Sequence, residues 1–243
     1  DHRDLHLSLR RQRQMCIRDS LGSDANGGQP ARLAEMTARG VTLMSRAVYL
    51  DEARNHAWIE GAGEAHLKLA EDLQGRPTET PYPLAIRWEK GLNFDGRKVQ
   101  LSGDVFAEGP EDWLRCDQLV GTLSRPVDFG TKADQTSLEL SELDCQGHVV
   151  FDHRTRDAGG PTSHERLQLA QLAINQQSGQ IRGRGPGWVR SVHYGEELQP
   201  TMKPRPDAAA ISGGPRLHFL RVNFQNGVTG NLHQRQLANR LNK

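Results

Sequence analysis

The densest group of metal-binding residue types in the sequence is Asp144-Cys-Gln-Gly-His148, followed by Asp152 and His153. Cys, His and Asp side chains are common metal ligands, so a metal site is one interpretation. Residues two apart share a face of a strand, which places Cys145 and His153 on one face and His148 on the other. These ligands could converge on one ion only at a bulge. We therefore expect a strand with one core face and one wet face, and no metal or other cofactor.

Three arginines, Arg182, Arg184 and Arg190, surround the glycine-rich stretch 183–187. Arginine pairs bidentately with phosphate, so these side chains are candidates for contacting a lipid headgroup phosphate. The alternative is a solvated edge that discourages strand-to-strand aggregation. The glycine-rich stretch resembles a phosphate-binding loop, but no helix follows it. The sequence therefore favours an extended β corner at this point.

Four tryptophans could stack on sugar rings: Trp58, Trp88, Trp113 and Trp188. At irregular positions in a β protein, tryptophans are more typical of core plugs and covers of sheet edges.

Enzyme motifs are scarce. The chain has no Gly-x-Ser-x-Gly, no His-Glu-x-x-His and no Gly-x-x-x-x-Gly-Lys-Ser/Thr. No pair of carboxylates stands out that would support an enzyme acting on glycans. We therefore expect a protein that is not an enzyme.

The composition predicts a β-rich chain and argues against a nucleic-acid partner. The 243 residues include 31 Lys and Arg against 30 Asp and Glu, so no global field favours nucleic acid. No apolar run approaches the roughly 18 residues of a membrane span. With 25 glycines and 12 prolines, the chain suits short strands joined by many turns.

A repeat organises most of the chain. A glycine followed by a strand-like step recurs at Gly63, Gly103, Gly147, Gly185 and Gly230, at separations of 38 to 45 residues. Turn dipeptides accompany these glycines, and they predict hairpins at Asp95-Gly96, Ser178-Gly179 and Asn226-Gly227.

A second pattern places apolar residues at i, i+2 and i+5, as in 114–119, 138–143 and 167–172, with a weaker copy at 43–48. A strand whose phase slips by one residue at a β-bulge would produce this pattern. The stretch 165–174 could instead form a short amphipathic helix. We favour a strand there, because 175–179 reads as a turn and 180–182 alternates after it.

The chain divides softly into segments. Residues 1–20 resemble a translated sequencing-adaptor tail, which we expect to pack against nothing, and 21–40 read as a linker. Two modules follow, 41–129 and a looser one at 130–243 that looks truncated at its C-terminus. Long loops are predicted at 71–83, 155–163 and 199–215.

Four stretches carry a family resemblance: Ala47–Asp51, Trp58–Ala65, Gly91–Arg97 leading to Leu101–Val105, and Trp113–Leu119. They resemble the repeats of OstA/LptA-type proteins, the β-jelly-roll or β-taco modules of lipopolysaccharide transport. The resemblance implies an all-β, open, twisted jelly-roll in the periplasm or cell envelope of a Gram-negative-type bacterium. It also implies an acylated, lipopolysaccharide-like lipid as ligand and other such modules as partners through edge-to-edge stacking.

If the chain is such a carrier, alternation within its strands should bring one set of apolar faces together as a lipid groove. That set is Val48, Leu50, Leu101, Val105, Leu114, Leu119, Val149 and Phe151. The alternative function is a structural β-repeat scaffold of a large envelope or surface protein, whose core is filled by its own side chains. In an oxidising compartment Cys116 and Cys145 could form a disulfide, and two separate buried thiols are the other interpretation.

Overall fold

The fold is known from a computed structural model, which describes residues 14–17, 33–38, 40–71, 77–129, 138–157, 160–195, 216–231 and 236–238. The described residues contain strands and no helix, which confirms the predicted all-β class. In chain order the strands are β1 (Gln14–Ile17), β2 (Ala34–Ala38), β3 (Val41–Ser45), β4 (Val48–Asp51), β5 (His56–Glu60), β6 (Gly63–Glu71), β7 (Pro77–Trp88), β8 (Gly91–Phe94), β9 (Lys98–Glu108), β10 (Asp112–Leu123), β11 (Leu140–Asp157), β12 (Gly160–Asn175), β13 (Gln180–Arg184), β14 (Gly187–Gly195), β15 (Arg216–Phe224), β16 (Gly227–Asn231) and β17 (Gln236–Ala238).

The strands form an antiparallel meander that is bent across its middle. β5 and β6 are separated only by Gly61 and Ala62, and they pair with β8 and β7, which are separated only by Glu89 and Lys90. Each such pair of short strands therefore behaves as one long strand with a bend. We call the line of bends the crease. It runs through residues 46–47, 61–62, 89–90, 103–104, 116–117, 147–148, 169–170, 185–186 and 225–226.

The crease divides the sheet into two half-sheets. The first half-sheet contains β2, β3, β6, β7, β14 and β15, and the second contains β1, β4, β5, β8, β13, β16 and β17. The long strands β9 to β12 cross from one half-sheet to the other. Buried apolar residues from both half-sheets form one continuous core, so the half-sheets face each other across it.

Backbone conformation explains the bends. Gly103-Asp104 and Gly147-His148 lie at the crease with positive φ at all four residues, a conformation that glycine adopts readily. The ladder shifts register at these positions between β9 and β10 and between β11 and β12, as expected of β-bulges that bend a strand. The bulge predicted at 114–119 is thereby confirmed, because the shift falls between Arg115 and Gln118.

Two ion pairs lie on the outer side of the crease. Arg115 binds Asp104 through its Nε at 2.5 Å and its Nη2 at 2.7 Å, and His148 Nδ1 lies 2.8 Å from Asp117 Oδ2. The hydrogen bond from Arg115 holds the pKa of Asp104 below its usual value. Both pairs are exposed and therefore contribute little to stability.

Two of the three predicted hairpins are confirmed, and one is wrong. Asp95-Gly96 joins β8 to its partner β9, and Ser178-Gly179 joins β12 to its partner β13. Asn226-Gly227 joins β15 to β16, which do not pair with each other. They continue in one register along β14 and β13, and Gly185 N–H donates to Asn226 O at 2.9 Å. This dipeptide therefore sits at the crease, opposite the β corner predicted at 183–187.

Several predicted boundaries differ from the structure. The expectation that residues 1–20 pack against nothing is wrong for 14–17, which pair as β1 with β4 through backbone hydrogen bonds. The predicted linker contains β2, which pairs with β3. The rest of the predicted tail lies outside the described residues, as does the predicted loop at 199–215. The predicted boundary between two modules at 129/130 does not interrupt the sheet, because β10 pairs along its length with β11.

Two predicted loops are strands instead. Most of 71–83 belongs to β7, although it contains Pro77, Pro81 and Pro83. These prolines lie where β7 pairs with β6 alone, because β9 ends at Glu108 opposite Ala85. A strand tolerates proline on a side that has no partner. The predicted loop 155–163 is likewise mostly the ends of β11 and β12, and the stretch 165–174 is a strand, as predicted.

Candidate functional site

An apolar cavity of about 190 Å³ lies between the two half-sheets. Every residue in its wall is apolar. The wall consists of Met36, Val41, Leu43, Ala57, Ala65, Leu67, Leu69, Leu84, Ile86, Leu92, Phe94, Val99, Leu101, Ala107, Leu114, Leu119, Gly121, Leu123, Val127, Phe129, Leu138, Leu140 and Leu143. Cavities of about 150 Å³ with walls of this kind stay dry and bind small apolar molecules such as benzene. The space between the half-sheets is therefore suited to a short stretch of hydrocarbon.

Three of the eight predicted groove residues line this cavity, namely Leu101, Leu114 and Leu119. Val48, Val105 and Val149 are buried in the core but are not part of the cavity wall. Each of these valines directly follows a bend of the crease. Close to the crease the two half-sheets have little room to separate, which agrees with the burial of these valines.

The other two predicted groove residues, Leu50 and Phe151, are half-buried and also lie outside the cavity wall. Phe151 packs against the core from its margin. Alternation correctly gave the inward side of these strands. It carried no information on where the two half-sheets separate.

A segment outside the sheet completes part of the wall. Phe129 N–H donates to Asn55 Oδ1 at 2.9 Å, and Asn55 Nδ2 donates to Val127 O. Val127 N–H also donates to Gly96 O at 2.7 Å. These bonds place Val127 and Phe129 in the wall, beside the β4–β5 and β8–β9 turns. Sequence reasoning missed them because they belong to no alternating strand.

A contact between the half-sheets also contributes to the wall. Leu69 of β6 forms an isolated bridge with Leu138, which precedes β11. Both leucines line the cavity. The two half-sheets are therefore joined at this point by one backbone pairing.

The predicted headgroup arginines lie on the outer face. Arg182 and Arg184 are exposed on β13, whose inward residue between them is the buried Gly183. Arg190 is half-buried on β14 and shares the outer face with them. None of the three lines the cavity. The structure thus brings no basic side chain to the cavity wall among the residues it describes.

The four tryptophans serve two structural roles. Trp88 is buried in the core. Trp58 stacks on Tyr49 with ring centroids 5.1 Å apart, Trp113 packs against Phe106 at 5.9 Å, and Trp188 lies under Arg221. Trp88 is therefore a core plug, as the sequence favours. The other three are not the expected covers of sheet edges, because each lies on a strand that is paired on both sides.

The residues of the metal-like cluster point to different places. Cys145 is buried in the core, His148 pairs with Asp117 outside the crease, and His153 contacts Asp112. Asp152 is fully buried and accepts from Arg154 Nε at 2.9 Å. Within the described ranges, no three His, Cys, Asp or Glu residues are grouped so as to hold a metal ion.

Cys116 and Cys145 are free thiols in this structure, not a disulfide, and both are buried. They belong to opposite half-sheets, yet their side chains are close enough to hydrogen-bond. That hydrogen bond and burial together raise the pKa of the Cys145 thiol well above its ordinary value. A protonated, buried thiol is a poor nucleophile.

We expect two consequences from this thiol pair once the protein has been reduced and the reductant removed. In a Cys16→Ser background, the folded protein should react slowly with dithionitrobenzoate at pH 8, and the urea-unfolded chain quickly. The folded state also retains a proton that the unfolded chain loses, so the free energy of unfolding should fall as the pH rises above about 8.5. Urea titrations at pH 7 and 9.5 measure this, with Cys145→Ala as the control. An equal pH dependence in that variant would contradict the assignment.

Comparison with models of known protein families finds no match, and comparison with curated proteins finds no relative. Among the described residues, no helix has the length and apolar character needed to cross a membrane. The fold and cavity thus define the class of this protein only coarsely, as an open, folded antiparallel β-sheet around an apolar interior.

Proposed function

We propose that this chain is a non-enzymatic module that binds or bridges acylated, lipopolysaccharide-like lipids of the cell envelope, similar to OstA/LptA-type modules. The observation that carries the proposal is the cavity of about 190 Å³, whose wall is apolar throughout. Burying hydrocarbon there would gain roughly 0.8 kcal/mol per methylene. The wall supplies no group for hydrolysis or redox chemistry, so capture and release would be its whole chemistry.

The position of the cavity agrees with the resemblance that suggested a carrier. Its wall spans residues 36–143, which include the module at 41–129 where the OstA-like stretches lie. The lipid would enter between half-sheets rather than through a ring of strands. Its polar headgroup would stay outside the apolar interior, because an unpaired polar group there costs several kcal/mol.

The sheet edges suit the proposed stacking of such modules. Within the described strands, β15 pairs only with β14 and leaves its other edge without a partner. Leu217, Phe219 and Leu220 on this strand are exposed. An edge of this kind can pair with a strand of another module, which would extend the interior from one module to the next. The resemblance to OstA/LptA-type modules is the basis for proposing a location in the periplasm or cell envelope.

A structural scaffold is the alternative function. The residues next to the crease support it, because Val48, Val105 and Val149 are buried there and do not line the cavity. A scaffold would gain nothing from an empty cavity. Filling that cavity therefore separates the two functions.

We predict that the double variant Ala57→Leu/Ala107→Leu loses lipid binding and keeps its fold. Both alanines line the cavity, one from each half-sheet, so the six carbon atoms that the two substitutions add would occupy space otherwise open to hydrocarbon. The affinity for a dansyl fatty acid, displaced by lipopolysaccharide, should fall by roughly tenfold or more. The urea midpoint should hold or rise, because the added side chains fill a void.

The matched control is Ala85→Leu on β7, whose side chain lies outside the cavity between the lining residues Leu84 and Ile86. This variant should bind the probe as the unmodified protein does. Equal binding by all three proteins, or no saturable binding by any, would favour the scaffold.

A further inference from the structure

The outer face of the first half-sheet carries a row of directly opposed arginines. Arg166 on β12 lies opposite Arg190 on β14, and Arg190 lies opposite Arg221 on β15. Directly opposite residues of antiparallel strands have Cβ atoms about 5 Å apart, and like charges at that separation destabilise a sheet. We call these three residues the arginine row.

The carboxylates beside the arginine row are too few to balance its three positive charges. Asp152 lies opposite Arg166 at one end of the row and is fully buried. Its two oxygens already accept from Arg154 Nε at 2.9 Å and His164 Nε2 at 2.8 Å, whereas Arg166 Nε lies 4.0 Å away. Within the described chain, neither Arg190 nor Arg221 has a carboxylate partner within 4 Å. The Nε atoms of Arg166 and Arg190 also lack an acceptor there.

Two indole rings hold the ends of the arginine row in place. Arg166 lies over the ring of Trp113 at 5.4 Å, and Arg221 lies over the ring of Trp188 at 5.3 Å. Stacking on an aromatic face fixes the plane of a guanidinium and leaves its N–H edges free to donate. Arg190 lies on β14, between the strands that carry Arg166 and Arg221. Two of the three forked cation donors in the row are therefore oriented in advance.

We propose that the arginine row is a binding site for a phosphoryl group on the outer face, separate from the cavity. Arginine forks match phosphate oxygens bidentately, and a doubly charged anion would offset the mutual repulsion of the three cations. The site takes the phosphate of a lipid headgroup or of a soluble phosphate compound by the same contacts. It does not depend on the proposed lipid cavity, which lies on the other face of the sheet.

The test uses Arg190→Gln, with Arg184→Gln as the matched control. Arg184 is an exposed arginine on the same outer face, across the crease and outside the row. Pyrophosphate is titrated by calorimetry against both variants and the unmodified protein at constant ionic strength. Arg190→Gln should lose about tenfold or more in affinity, as expected when a bidentate charged contact is removed, and Arg184→Gln should lose little.

Thermal unfolding distinguishes a binding site from a structural role. Without phosphate, Arg190→Gln should unfold at the same temperature or higher, because it relieves repulsion within the row. With pyrophosphate, the unmodified protein should be stabilised and Arg190→Gln should not. A variant that is less stable in both conditions by the same amount would assign Arg190 a structural role and overturn the proposal.

The source of the phosphate is separated by a second arm. Flotation with vesicles of phosphatidylcholine containing phosphatidylglycerol tests a membrane headgroup, and the pyrophosphate titration tests a soluble compound. Dependence on Arg190 in either arm supports the site and names its source. The proposal is overturned if binding in neither arm depends on Arg190. It is also overturned if sodium chloride stabilises the unmodified protein as much as pyrophosphate does. The Ala57→Leu/Ala107→Leu variant should retain this binding, so failure of the cavity proposal is seen separately.

Discussion

Replacing Val105 with aspartate is expected to leave most of the chain unfolded at 25 °C. Val105 has no exposed surface and follows the Gly103-Asp104 bend, where the two half-sheets meet. An unpaired carboxylate in such a site costs several kcal/mol. Since a domain is stabilised by only about 5–15 kcal/mol in total, this cost is a large part of the whole. Circular dichroism in a urea series measures the loss.

Two comparisons make this first prediction specific. Val150→Asp places the same group on the half-buried outer face, opposite Arg115, and should cost far less. Leu119→Asp places it in the cavity wall and should weaken both stability and probe binding. A Val105→Asp protein that unfolds at the same urea concentration as Val150→Asp would show that the crease is not tightly packed. A photo-crosslinking side chain that is meant to reach bound lipid should replace Leu119 rather than Val105, because Leu119 lines the cavity and Val105 does not.

The second large effect is expected from Asp112→Ala. Asp112 is buried and accepts hydrogen bonds from the Tyr82 hydroxyl at 3.0 Å and from His153 Nδ1. These contacts tie the part of β7 that extends beyond β9 to β10 and β11. Removing the carboxylate deprives both partners of this acceptor, so we expect a loss of about 3–5 kcal/mol in the free energy of unfolding.

Tyr82→Phe is the control for Asp112→Ala, because it removes only one of the two contacts and should cost about 1–1.5 kcal/mol. Asp112→Asn keeps the shape and should fall between these variants. Equal losses for Asp112→Ala and Tyr82→Phe in urea unfolding would mean that the His153 contact contributes nothing.

The local features of the fold could be predicted, because they depend on neighbours in the chain. The Asp95-Gly96 hairpin follows from a dipeptide that tolerates positive φ. The phase slip in 114–119 follows from three buried residues, Leu114, Cys116 and Leu119, on one inward face. In both cases the pattern within a few residues fixes the geometry.

Features that depend on distant strands could not be predicted. Asn226-Gly227 has the same turn chemistry as Asp95-Gly96, yet its strand continues, because β15 and β16 find partners in β14 and β13. The prolines of β7 predict a loop from the sequence alone. They are compatible with a strand only because β9 ends before it reaches them, which the sequence does not reveal. The arginine row likewise requires the register of three strands. Spacing along the chain grouped Arg190 with Arg182 and Arg184 instead of with Arg166 and Arg221.

The crease has a consequence for how such a molecule can change in length. Each strand that crosses the crease bends at the same point relative to its neighbours. The strands therefore repeat one bent profile along the crease, and neighbouring copies of it are about 4.8 Å apart. Adding or removing two adjacent strands would therefore lengthen or shorten the interior by about 10 Å without altering its profile. Adding one residue between a bend and a strand end would instead shift the register of that strand, so that its bend no longer aligned with the bends of its neighbours. Natural and engineered size variants of this architecture should thus differ by whole pairs of strands.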